Sequence, residues 1–172
     1  YNVTGRIRGK SSEFQILLGG HYDTHFWGFQ DDCCAVGLVL AAAKAMLDIG
    51  FEPENDIVFC LHGAEEWGSS YTQFDWTVGA WEMINTLHPE WVGKTLAFLN
   101  FELPAYEFAT YTTTYSAPEM FSLLRTFTTR YPYAPKPQGC FPDGVLTEGY
   151  QTYTYSDDFS YYAAGVPSTV NG

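Results

Sequence analysis

The chain has 172 residues, 46% hydrophobic and 18% aromatic, enough for one globular domain burying roughly 70% of its unfolded surface. Twenty acidic residues against eight basic give a net charge of -12, and no Lys/Arg cluster exists, which excludes nucleic acid as a partner. No apolar run reaches the ~18 residues of a membrane span, and Cys33, Cys34, Cys60 and Cys140 lack the CxxC spacing of a zinc knuckle or the pattern of a disulfide framework.

Residues 2–9 alternate around Val3 and Ile7 and read as an edge strand or hairpin arm. Residues 14–19 read as a buried strand. Residues 32–49 follow a helical period, with Asp32 as N-cap, Val36, Val39, Leu40, Ala43, Met46 and Leu47 as the apolar stripe, and Gly50 as terminator. A second apolar strand covers 55–62, and a helix over 70–87 turns Trp76, Trp81 and Ile84 inward. Lys94 to Phe101 forms a third buried strand, and Ala109 to Tyr115 an edge strand. A helix over 117–130 carries Met120, Leu123, Leu124 and Phe127 on one side, followed by a Pro/Gly loop over 132–144. Val166 to Gly172 is strand-like. With no initiator Met or signal-like segment at Tyr1, the chain reads as an excerpt of a longer protein. Strands alternating with helices predict an α/β domain whose sheet is largely parallel and helix-covered.

In such sheets ligands gather where strands end. His21 and Asp23 follow the first buried strand, Asp31 and Asp32 open the helix, Glu65 and Glu66 follow the second, and Glu102 follows the third. Imidazole and carboxylates at neighbouring strand ends are what a hydrolytic zinc site needs. Taken singly, each has a plainer reading: His21 as a hydrogen-bonded core histidine, Asp31 or Asp32 as a helix cap, Glu65 and Glu66 as a solvated pair, Glu102 as a charge at a strand end. Their order along the chain favours the site. His25 and His62 read as structural or exposed, and Tyr153, Tyr155, Tyr161 and Tyr162 as core and rim.

The segments GGHYD, GFQDD, GAEEWGSS and LNFE, with the opening YNVTGRIRG and the late SDDFSYYAAGVPS, resemble the zinc-dependent exopeptidase family containing aminopeptidase Y, glutamate carboxypeptidase II and the transferrin receptor. The resemblance is collinear over nearly the whole chain and strongest from Leu17 to Gly68. It implies a three-layer α/β/α sandwich with a mixed, mostly parallel sheet, holding two zinc ions bridged by a carboxylate and a water. Carried over, it implies His21 as a ligand of the first zinc, Asp23 as the acceptor of the other imidazole N–H, and Asp31 as the bridging carboxylate. It further implies Glu65 as general base, Glu66 as a ligand of the second zinc, Glu102 as the first zinc's other carboxylate, and Asp32 as the helix cap. Ser156, Asp157, Asp158 and Phe159 match a segment lining the family's substrate site.

Two departures stand out. The family usually has Asp where this chain has Glu102, which moves the carboxylate by about 1.5 Å. The family's last ligand is a histidine beyond the Gly-Val-Pro strand, outside these 172 residues. The expectation is therefore a single catalytic domain over 1–172, lacking its last strand or helix and final histidine, from a di-zinc exopeptidase acting on a terminal peptide bond. Its acidic site suits a substrate ammonium, hence an aminopeptidase ahead of a carboxypeptidase. The alternatives are a receptor-like binding domain without catalysis and a glutaminyl cyclase-like acyltransferase using one zinc. A peptide is the expected substrate and a homodimer is compatible; the resemblance favours a secreted or extracytoplasmic location.

Overall fold

The computed structural model describes residues 1–68, 76–104, 111–130, 145–150 and 156–171. Their strands are β1 (Val3–Ile7), β2 (Gln15–His21), β3 (Asp56–His62), β4 (Thr95–Phe101), β5 (Tyr111–Ser116), β6 (Val145–Tyr150) and β7 (Ser168–Asn171). They form one seven-stranded sheet in the order β1-β3-β2-β4-β7-β5-β6. β1 runs antiparallel to β3 and β5 antiparallel to β7, whereas the β2–β3, β2–β4, β4–β7 and β5–β6 pairs are parallel. The sheet is thus mixed and mostly parallel.

The helices are α1 (Cys34–Asp48), α2 (Val78–Glu82), α3 (Pro118–Arg130) and α4 (Asp158–Ala163). A wide helical turn, Met83–Leu87, continues α2. Alternation along the central strands assigns the two faces. Leu17, Val58 and Phe98 pack with Ala80, Met83, Ile84, Trp91, Tyr161 and Val166, the side of α2 and α4. Leu18, Ile57 and Phe59 pack with Val39, backed by half-buried Ile7, Ala43 and Met46, the side of α1. Helices on both faces of one sheet make the three layers. Both faces of β2 are covered, which is why it reads as a nearly continuous apolar run. Full burial of a side chain such as Phe98 contributes about 2–3 kcal/mol.

Several sequence expectations shift. α1 begins at Cys34 rather than at 32, because the turn Phe29–Cys33 holds non-helical backbone at Asp31 and Asp32. Of the expected stripe, Val39 is buried but Leu40 and Leu47 are 56% and 66% exposed; a helix this rich in alanine offers little contrast between its faces. Gly50, at φ 64°, terminates it, with the Phe51 N–H donating to the Met46 carbonyl at 2.9 Å. The described part of the helix expected over 70–87 starts at Val78, with Ile84 buried and Trp76 40% exposed, not inward. β5 is an inner strand, flanked by β7 and β6, not an edge. Leu123 on α3 is exposed while Met120 is buried. Residues 131–144, Tyr153 and Tyr155 lie outside the described residues. Among the described residues no helix is long and apolar enough to cross a membrane.

Candidate metal centre

β2 ends on the fully buried His21. Two glycines let the strand reach that depth: a Cβ on Gly19 would lie 2.6 Å from the Cys60 carbonyl oxygen, and one on Gly20 would lie 2.9 Å from that of Phe101. The His21 Nδ1 sits 2.9 Å from the Asp23 backbone carbonyl. A carbonyl only accepts, so Nδ1 carries a proton in either charge state. Nε2 then faces Asp31 Oδ1 at 3.1 Å, Glu102 Oε1 at 3.4 Å, Glu65 Oε2 at 3.8 Å and Asp32 Oδ2 at 3.9 Å.

Asp23 corrects the sequence expectation. The imidazole N–H meets its backbone carbonyl, while the carboxylate stands off at 3.5 Å. That carboxylate instead forks across the next loop, accepting the Glu65 N–H at Oδ1 and the Glu66 N–H at Oδ2, both at 3.1 Å. Two parallel backbone donors outcompete one ring N–H already satisfied nearby. Asp23 thereby fixes the adjacent glutamates relative to His21.

The glutamates leave β3 through Ala64, which adopts a left-handed φ of 59°. The Thr77 and Val78 N–H groups donate to the Glu65 and Ala64 carbonyls at 2.9 and 3.0 Å, clamping this loop to the segment entering α2. Glu65 is buried and accepts the Trp76 indole N–H at Oε1, 2.5 Å away. Glu66 Oε2 lies 3.1 Å from Nε2 of the half-exposed His25, so that histidine does lean into the site.

Asp32 is not a helix cap; α1 has no side-chain cap. Fully buried, it accepts the His21 backbone N–H at 3.3 Å through Oδ2 and that of Leu103 at 3.2 Å through Oδ1. It is the residue sequence reasoning misplaced: an acidic residue before a helical period reads as a cap, and only the tertiary fold brings two strand-end N–H groups to it. Glu102 leaves β4 with its N–H donating to the Asn171 carbonyl at 2.7 Å. Its Oε2 accepts from the Ser156 hydroxyl, which itself accepts the Asn100 amide at 2.9 Å. The longer side chain at 102 still reaches His21. Asp157 pairs with His62 away from this cluster, and Asp158 is buried.

So many carboxylates around one imidazole distort the protonation of His21, Asp32, Glu65 and Glu66. Burial pulls the His21 pKa down, but Glu102, Glu65 and Asp32 overwhelm it and push it up to about 11. Burial, reinforced by Glu102, raises Asp32 to about 8 against the pull of His21. Burial likewise raises Glu65 to about 9, opposed by His21 and Trp76. Glu66 is raised by burial and by Asp31. His21 Nε2, Asp31 Oδ1 and Glu66 Oε1 are all buried atoms with no hydrogen-bond partner. Ligand atoms of His21, Asp32 and Glu102 lie within 4.8 Å of one another, as do those of His21, Glu65 and Glu66. A divalent cation answers both the excess charge and the orphaned atoms. One imidazole with oxygen donors suits zinc.

The matching family model, Peptidase family M28, spans residues 2–170. The chain belongs to peptidase family M28. This is the zinc exopeptidase family whose motifs the sequence resembles. The M28 chain is similar in fold to "BSAP, a zinc aminopeptidase from Bacillus subtilis", with 18% identity, a TM-score of 0.74, and 99% of this chain and 39% of that one covered. It is similar to an aminopeptidase from Aneurinibacillus sp. strain AM-1, with 19% identity, a TM-score of 0.76, and coverage of 99% and 38%. A glutaminyl cyclase from an Acidobacteriales bacterium matches at 18% identity and a TM-score of 0.72, over 98% of this chain and 57% of that one. The M28 chain thus spans less than two thirds of each of these structures. No curated protein matches it.

Proposed function

We propose that the chain carries the metal-binding core of a zinc exopeptidase that hydrolyses a terminal peptide bond, an aminopeptidase ahead of a carboxypeptidase. The observation that carries this reading is the unpartnered, buried His21 Nε2 facing four carboxylates at 3.1 to 3.9 Å. In this reading His21, Asp31 and Glu102 would hold one zinc ion, and Asp31 and Glu66 would contribute to a second. Zinc bound there would supply Lewis acidity, lowering the pKa of water from ~16 towards ~7 and polarising the scissile carbonyl.

The chain's own residues do the rest. Glu65 takes a proton from the attacking water and returns it to the leaving amine, a role worth about 10²–10⁴-fold. Asp23 keeps Glu65 and Glu66 in register through their backbone N–H groups, and Ser156 holds the outer oxygen of Glu102. The charged groups facing His21 are acidic, which suits a substrate's α-ammonium group.

The test is Glu65→Gln. Release of amino acids from a panel of peptides should fall at least 10²-fold while zinc content stays at the wild-type level. Absence of chelator-sensitive release by the zinc-loaded wild type would overturn the peptidase reading. If the same protein instead cyclises an N-terminal glutaminyl peptide, the acyl-transfer alternative takes its place.

A further inference from the structure

Trp76 has no part in the reading above, yet it touches the proposed base directly. Its indole Nε1–H donates to Glu65 Oε1 at 2.5 Å, while Glu65 Oε2 faces His21 Nε2 at 3.8 Å. The two oxygens of one carboxylate are therefore distinguished, one tied to an indole and the other turned towards the candidate metal ligand. The indole is placed by main chain: the N–H of the next residue, Thr77, donates to the Glu65 carbonyl, and Val78 N–H to that of Ala64. The ring itself is 40% exposed. An indole N–H only donates, so it can orient the carboxylate without ever taking its proton.

We propose that Trp76 is a positioning residue for Glu65, holding Oε1 through its indole N–H so that Oε2 faces the reacting water. This rests on the reading of Glu65 as general base. A ring acting merely as packing would not need its N–H, and that difference is testable.

Trp76→Phe keeps a ring and removes the donor; Trp76→Leu removes both. With an amino-acid 4-nitroanilide as substrate, kcat should fall roughly 10- to 100-fold in both, the scale of a misplaced reacting group, with KM and zinc content unchanged. Combined with Glu65→Gln, Trp76→Phe should cost nothing more. Independently of turnover, the indole ¹H–¹⁵N resonance identified by its loss in Trp76→Phe should move upfield in Glu65→Ala. Wild-type kcat in Trp76→Phe, a loss confined to Trp76→Leu, or an indole resonance unmoved in Glu65→Ala would each overturn the proposal. Full turnover in Glu65→Gln alone would instead remove the general-base reading beneath it.

Discussion

His62 and Asp157, ninety-five residues apart in sequence, meet as a fully buried pair, Nδ1 to Oδ2 at 2.9 Å. The other ring nitrogen lies 2.9 Å from the Tyr161 hydroxyl. The contact joins the end of β3, three residues before Glu65, to the start of α4, one residue after Ser156. It ties the loop that delivers Glu65 and Glu66 to the segment whose Ser156 holds Glu102, without entering the site itself.

Breaking that pair leaves a buried group uncompensated. Replacing either partner alone, as in His62→Leu or Asp157→Leu, should destabilise the chain by about 1–3 kcal/mol or more, the cost of stranding a buried polar group. The double replacement should cost clearly less than the sum, because neither polar group is then stranded. Urea unfolding of the four proteins measures the coupling; strict additivity would contradict it.

Without metal, stability should fall as pH rises. His21 is raised from 6.5 to about 11, so its contribution is full below 6.5 and lost towards about 11. Asp32 and Glu65 are raised from 3.8 and 4.5 to about 8 and about 9, so ionising them costs stability increasingly up to those values. All three leave the folded form with more protons than the unfolded form over the neutral range, which fixes the sign. Chelator-treated protein should therefore show a melting temperature that declines from pH 6 to pH 9. Zinc should raise and flatten that curve, releasing protons as it binds. A metal-free melting temperature that climbs over the same range would refute the charge arrangement.

Gly79 offers a test of packing against propensity. Alanine is favoured over glycine within a helix by about 1 kcal/mol, and Gly79 lies inside α2. A Cβ there would sit 1.7 Å from the Gly63 carbonyl oxygen. Packing wins: Gly79→Ala should lower stability by about 1–3 kcal/mol or more. Denaturant titration gives the sign directly, and a stabilised variant would show that α2 can move off the loop carrying Glu65.

The sheet was largely legible in the residues, because β2, β3 and β4 are apolar runs whose ends carry the polar groups. The placement of His21, Glu65, Glu66 and Glu102 at those ends follows from that pattern. Two details escaped it for one reason: both depend on backbone donors that only tertiary structure supplies. Asp32 turns from the helix to the His21 and Leu103 N–H groups, and Asp23 turns from the imidazole to those of Glu65 and Glu66. Trp76, apolar by type, is drawn to the surface of the site by its one polar atom. β6 carries a threonine, a glutamate and a glycine in six residues, and α4 is only six residues long; neither has the periodic contrast that sequence patterning needs.

The bridge made by Asp32 has one more implication. A single side chain fastens the last residue of β2 to the segment just past β4, so the gap between the imidazole and Glu102 is gauged by the protein rather than by whatever ion enters it. Exchanging zinc for cobalt or manganese would then change the chemistry of the ion while leaving the jaws that grip it at the same width.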